Sequence, residues 1–268
     1  MIARSCVLLL AAIILLAPGL SARTCIAQDY HQVERTYQDL VRSVVRIETR
    51  YASIFAPPGA GSGVVIGDDG LIATADHVLD GASEIWVVHP GEQRQRAAIV
   101  KRAPERDLAL IRIEDDGSLV PITPHHRAVR PGQCVLALGN VMSWGIGIFA
   151  GIVSLSTCAE GCPAGATSGI LTDITTPPGL SGGALVACAD RSLVGIISFG
   201  LVALNSAAPT AGIVGAVPAA AVAKLLSEQL ACAGGPHCFS GAPAAPQVSS
   251  VVSETPSAAR RASHGLGR

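Results

Sequence analysis

Along most of the chain the apolar residues fall into short Val/Ile/Leu-rich runs, separated by glycine, proline and polar turns. One series comprises Val44–Ile47, Val64–Ile66, Leu71–Thr74, Ile85–His89, Ala97–Val100 and Leu108–Ile113. A polar break at Glu114–Ser118 and an irregular stretch to Pro131-Gly132 follow. The second series comprises Cys134–Leu138, Ile146–Leu155, Ile170–Thr172, Ala184–Ala187, Leu193–Phe199 and Gly212–Val217. Short, regularly spaced strands with turn signals between them predict a sandwich or a barrel. No helix of useful length separates the runs, which argues against a parallel sheet with crossover helices. Two series of six therefore predict an all-β fold of two six-stranded antiparallel barrels. Helical spacing occurs only at the ends. Val33, Tyr37, Leu40 and Val41 share one side of Gln32–Val41, and Pro218 opens an Ala/Leu-rich helix through Leu230.

The N-terminus has its own pattern. Arg4 precedes an apolar run from Cys6 to Ala17, which Pro18 and Gly19 break. The run is shorter than the ~20 residues of a spanning helix and has the form of a secretory signal peptide. Cleavage after Ser21 would leave Cys25 as an odd thiol. Cleavage after Ala27 removes Cys6 and Cys25 and leaves an even set: Cys134, Cys158, Cys162, Cys188, Cys232 and Cys238. An even set in an exported chain reads as a disulfide framework, which favours the later site. Sequence proximity suggests Cys158–Cys162 and Cys232–Cys238. The expected organisation is a signal peptide over 1–27, a helix and first barrel over 28–118, and a linker over 119–132. A second barrel with a helix spans 133–238, and a flexible tail follows over 239–268. The expected location is the periplasm or outside the cell, with no stable membrane span after cleavage.

Composition narrows the function. Net charge is −1 and aromatics are 3% of the chain, so neither phosphate neutralisation nor base stacking has the residues it needs. Nucleic acid is thereby excluded as the main partner. No metal or organic cofactor is expected. His125-His126 lacks an acidic cluster and is expected to face solvent, and Asp68-Asp69-Gly70 reads as a hairpin turn.

The informative segment is Gly179-Leu-Ser181-Gly-Gly183. A serine between glycines sits where the backbone turns sharply, a carbonyl can approach, and N–H groups can face an oxyanion. A serine hydroxyl needs a base, and the base an orienter. The α/β-hydrolase elbow shares the pattern but needs Asp and His after the serine. Downstream there are only Asp190, Glu228, Glu254, His237 and His264. Upstream, His77 follows the run Leu71–Thr74 and Asp107 precedes Leu108–Ile113. The order His…Asp…Ser is one of the known triad orders.

At this point the sequence resembles the chymotrypsin-fold serine proteases, and among them the bacterial HtrA/Deg-like branch. The matching stretches are Gly61-Ser-Gly-Val-Val-Ile, Ala73-Thr-Ala-Asp-His77-Val, Asp107-Leu-Ala-Leu-Ile, Leu138-Gly-Asn140, Gly151-Ile-Val-Ser and Gly179-Leu-Ser181-Gly-Gly-Ala-Leu. The resemblance implies a cleft between two barrels, His77 as general base, Asp107 as its orienter and Ser181 as nucleophile. It also implies an oxyanion hole from the N–H groups of Gly179 and Ser181, and a Cys134–Cys188 disulfide. Substrate-binding positions would be Thr175 at the pocket base and Ser198-Phe199-Gly200 along one wall. With no acid at these places, small or medium apolar residues are expected before the cut bond.

The resemblance further implies polypeptide substrates, unfolded proteins among them, and allows an oligomer. The chain departs from the branch in two ways. Leu180 stands where a polar Asn or Asp is usual, and no PDZ domain is expected in the residues after Leu230. Leu180 cannot form the activating ion pair of zymogen-type enzymes, so none is expected. It also motivates an alternative: a protease-like scaffold that binds peptides or unfolded proteins and cuts them weakly.

Overall fold

The computed structural model describes residues 31–53, 55–114, 117–125, 128–156, 169–175, 177–198 and 214–233. The signal segment, the tail, Cys158, Cys162, Cys238, Phe199 and Gly200 lie outside them, as does the side chain of Cys232.

The first series forms one antiparallel sheet. Its strands are β1 (Val44–Arg50), β2 (Gly59–Val65), β3 (Leu71–Thr74), β4 (Glu84–Val88), β5 (Arg94–Arg96), β6 (Ala98–Ala103) and β7 (Leu108–Arg112). They lie in the order β5-β4-β1-β2-β3-β7-β6. Seven strands thus stand where six were expected, because the polar segment Arg94–Arg96, just before the fifth run, forms a strand of its own that Ala97 separates from β6. The segment before Ala97 pairs with β4 and the one after it with β7. The two edges of the sheet are therefore joined through one residue, whose N–H still reaches Ile85 O at 2.9 Å. The sheet curls on itself, and the break is where it would otherwise close.

The second series is a closed barrel. Its strands are β8 (Cys134–Asn140), β9 (Ile146–Ser156), β10 (Ile170–Thr172), β11 (Ala184–Ala187), β12 (Leu193–Ser198) and β13 (Val214–Pro218), in the order β10-β13-β12-β11-β8-β9. A helix over residues 31–40, α1, precedes the sheets, and α2 (Ala219–Ala233) follows them. Pro218 closes β13 and the helix begins one residue later. All strands belong to the unit that ends at Leu230; of the unit beginning at Ala231, the described part is the end of α2.

Burial explains why the runs look continuous and not alternating. Val45, Ile47, Ile72, Val87 and Ile111 fill the interior of the first sheet, and Val135, Ala137, Val153, Leu185 and Ile197 that of the second barrel. Their neighbours on the opposite face, among them Val44, Val64, Leu110, Leu136, Leu138 and Ile196, form a third cluster between the two sheets. Strands buried on both faces lose the polar positions that would mark their period. Val222 and Leu225 of α2 and the half-buried Val33 and Leu40 of α1 pack on this third cluster.

Asp68 and Asp69 lie in the β2–β3 turn, and Gly70 supplies its left-handed residue at φ 73°. His125 departs from expectation. Its side chain is only 11% exposed, with Nδ1 2.6 Å from Ser192 Oγ. A nearby hydroxyl let the chain cover an imidazole that the sequence suggested would remain in water.

Candidate active site

His77 is presented by a one-turn 3-10 helix, Asp76–Leu79, that directly follows β3. Val78 and Leu79 are buried and anchor the turn, which leaves His77 outward with a side chain 42% exposed. Asp76, only 5% exposed, faces the other way. Its carboxylate takes a two-pronged contact from Arg102 on β6, Nε to Oδ1 at 2.6 Å and Nη2 to Oδ2 at 2.8 Å. A bidentate guanidinium pair fixes geometry as well as charge, so the turn is clamped from below.

Asp107 sits between the 3-10 turn Pro104–Arg106 and β7, in the left-handed region at φ 49°. Aspartate tolerates this region better than most residues, and here it reverses the chain towards His77. Both carboxylate oxygens lie 2.9 Å from His77 Nδ1, and Oδ1 accepts the His77 backbone N–H at 3.0 Å. The Ser198 hydroxyl donates to Oδ2. The hydrogen bond to Asp107 raises the imidazole above its ordinary value of 6.5 against the opposing effect of burial; the charges of Asp107 and Asp76 add to the rise. Burial alone would push the Asp107 carboxyl up. The bonds from the His77 ring, Ser198 and the His77 N–H, together with the imidazolium charge, outweigh it and hold the group below 3.8. A carboxylate bonded to Nδ1 places the imidazole's free lone pair on Nε2.

Ser181 lies on the loop before β11 and is 8% exposed. The loop is held against both sheets. Ser62 N–H donates to Ser181 O at 2.8 Å, and Gly182 N–H donates to Ile197 O at 2.7 Å. Ile197 precedes Ser198, so a short path of bonds runs from Asp107 through Ser198 and Ile197 to the serine loop. Gly61 is also required, because a Cβ there would press on Val78, the neighbour of His77, and lie 3.2 Å from Ser181 O. Gly182, at φ 84°, rests on Ser62 O and Thr74 Oγ1 where no Cβ fits. Among the described residues no hydrogen bond joins Ser181 Oγ to His77, a contact that often tightens only with substrate bound. The loop's hydrogen bonds use the N–H groups of Gly182 and Gly183 and the carbonyls of Gly179, Leu180 and Ser181. Among the described residues, the N–H groups of Gly179 and Ser181 have no acceptor.

Leu180 is fully buried and belongs to the core of the second barrel, against Gly139. The loop thus carries an apolar anchor at the position where a polar residue was expected from the resemblance. Cys134 and Cys188 form a disulfide with Cα atoms 5.5 Å apart, joining the start of β8 to the residue after β11. Thr175 is exposed on the segment before the serine loop. Sequence reasoning assigned Ser198 only to a pocket wall; its bond to Asp107 needed the register of β12. Arg102 gave no sequence signal, since a surface arginine on an edge strand is ordinary.

Residues 61–196 match the family model for a trypsin-like peptidase domain, just over half of the chain. A probable periplasmic serine endoprotease, DegP-like, from Marinomonas is 37% identical over 52% of this chain and 29% of its own length. The serine protease HTRA1 of Xenopus laevis is 31% identical over 74% of this chain and 43% of its own. The chain therefore spans less than half the length of these curated relatives. The crystal structure of the serine endoprotease from Yersinia pestis superposes with a TM-score of 0.60 at 27% identity, covering 74% of this chain and 66% of that one. By matched domain, fold and relatives, the chain belongs to the chymotrypsin-fold trypsin-like peptidases, within their HtrA-like branch.

Proposed function

We propose that the chain is an exported serine endopeptidase. Ser181 Oγ attacks a peptide carbonyl and passes its proton to His77 Nε2. The imidazolium is stabilised by Asp107 and then protonates the leaving amine; water repeats the cycle on the acyl-enzyme. The N–H groups of Gly179 and Ser181 receive the oxyanion. Positioned acid–base help contributes about 10²–10⁴-fold, and one oxyanion donor about as much again.

The observation that carries this reading is the doubly bonded His77–Asp107 pair, linked through Ser198 and Ile197 to the loop bearing Ser181. The N–H groups of Gly179 and Ser181, without an acceptor among the described residues, support it. The scaffold alternative has no observation in its favour. The Marinomonas relative is described as periplasmic, which supports export together with the N-terminal pattern. Polypeptides are the substrate class, cleaved after small or medium apolar residues.

A fluorophosphonate probe tests the mechanism. Ser181 becomes labelled in the wild type, and labelling disappears in Ser181→Ala and His77→Ala. Labelling that survives in folded Ser181→Ala would remove the serine from its role. Peptides ending in Val, Ala or Arg before a nitroanilide test selectivity; faster release after Arg contradicts the apolar pocket. Mass spectrometry of the exported protein tests removal of residues 1–27.

A further inference from the structure

One hydroxyl under the serine loop both donates and accepts across the boundary between the two sheets. Ser62 lies on β2 of the first sheet and is fully buried. Its Oγ donates to Gly179 O at 2.7 Å and accepts the Asn140 backbone N–H, at the end of β8, at 2.8 Å. Its own N–H donates to Ser181 O at 2.8 Å, and its carbonyl accepts the Thr74 hydroxyl at 2.7 Å. A single residue thus ties together the strand before His77, the loop carrying Ser181 and the second barrel.

The position of the Gly179 contact matters. Gly179 O belongs to the peptide unit that lies between the N–H groups of Gly179 and Ser181. Gly179 has φ 100°, a conformation in which glycine meets no Cβ penalty and from which its neighbouring peptides turn easily. Displacement of that unit would carry both flanking donors with it. Beside it lies the Asn140 side chain, buried, with neither amide atom bonded among the described residues. Its Nδ2 is 3.0 Å from the point a Cβ on Gly179 would occupy. The Asn140 side chain places a second polar group against this glycine without bonding to the loop. The Ser62 hydroxyl and N–H do bond to the loop, at Gly179 O and Ser181 O.

We propose that Ser62 is a positioning residue of the peptidase: its hydroxyl fixes the Gly179–Leu180 peptide and so holds the N–H groups of Gly179 and Ser181 aimed at the oxyanion. This rests on the assignment of Ser181 as nucleophile. A preorganised oxyanion site acts on the transition state and not on ground-state binding. Loss of the hydroxyl therefore lowers kcat and leaves KM nearly unchanged. It also leaves the acid limb of the pH profile in place, because the His77–Asp107 pair is untouched.

The test uses the full chain and a peptide nitroanilide ending in Val. Ser62→Ala is expected to lose about 10–100-fold in kcat with KM within about twofold. Ser62→Thr and Ser62→Val have the same shape and differ in the hydroxyl, so their ratio isolates it even if Ser62→Ala does not fold. Thr should keep kcat close to wild type and Val should fall with Ala. Rates of fluorophosphonate labelling should follow the same order. Equal kcat for folded Thr and Val variants overturns the proposal, as does a loss shared between kcat and KM. Ser181→Ala, measured alongside, separates the two readings. If it stays active, the nucleophile assignment has failed; if it is inert while Ser62→Val is fully active, only the role of Ser62 has failed.

Discussion

The two halves of the site are held by different forces. The His77 half, on the first sheet, is fixed by charge: Asp107 on the imidazole and Arg102 on Asp76, each with two contacts. The Ser181 half is fixed by packing and close approach: Leu180 in the barrel core, glycines where a Cβ cannot fit, and the Cys134–Cys188 bridge behind the loop. The difference follows from the chemistry required. A base must have its protonation set, which takes neighbouring charges. A nucleophile loop must keep its N–H groups aimed, which takes a backbone that cannot move. Changes in the first half should therefore move the pH dependence, and changes in the second should move rate or stability at constant pH dependence.

Four variants would break or sharpen this contrast. The largest effect is expected from Asp107→Asn, with kcat/KM falling about 10⁴-fold as the imidazole loses its orienter and tautomer. The sign of the accompanying pH shift is determined. In its proposed role His77 must be neutral to act, and Asp107 raises its pKa, so wild-type activity should rise with pH through a value above 6.5. Removing the carboxylate moves that limb to lower pH, which a kcat/KM profile would show. Gly182→Ala comes next. A Cβ would collide with Ser62 O and Thr74 Oγ1 at φ 84°, so about a 10²-fold loss is expected, with the acid limb unmoved.

Leu180→Ala should cost about 2–5 kcal/mol in unfolding free energy, read from a denaturant midpoint, as a buried leucine leaves a cavity in the second barrel. Residual activity should keep the wild-type pH profile; a shifted limb would mean that the two halves are electrostatically coupled. The smallest effect belongs to Arg102→Gln. The charge of Asp76 is then uncompensated, favours the imidazolium, and shifts the acid limb slightly upward. A downward shift would contradict the assigned role of the arginine.

Legibility in the sequence followed the same division. The glycine-flanked Ser181, and His77 and Asp107 each beside an apolar run, could be named because their residue types and order are themselves informative. The strand runs were legible because β-branched clusters between turns have few other uses. The glycine-rich start of β2 was missed, since Gly59 to Gly63 has little strand propensity; its small residues are there to let Val78 and the serine loop come close. The broken strand at Ala97 was missed because local pattern does not record which partner each half meets. His125 was misjudged for the same kind of reason, its cover coming from Ser192, far along the chain.

From residue types and spacing came the two series of strands and the three residues assigned to the chemistry, and the family came from the resemblance that the short motifs carry. These depend on short-range pattern, which is carried along the chain itself. Only the tertiary structure decided that Ser198 bonds to Asp107, that Arg102 clamps Asp76, that Leu180 is an anchor, and that Ser62 spans the boundary between the sheets. Each of these pairs residues distant in sequence, and hydrogen bonds and close packing act over a few ångströms of space, whatever the length of chain between them.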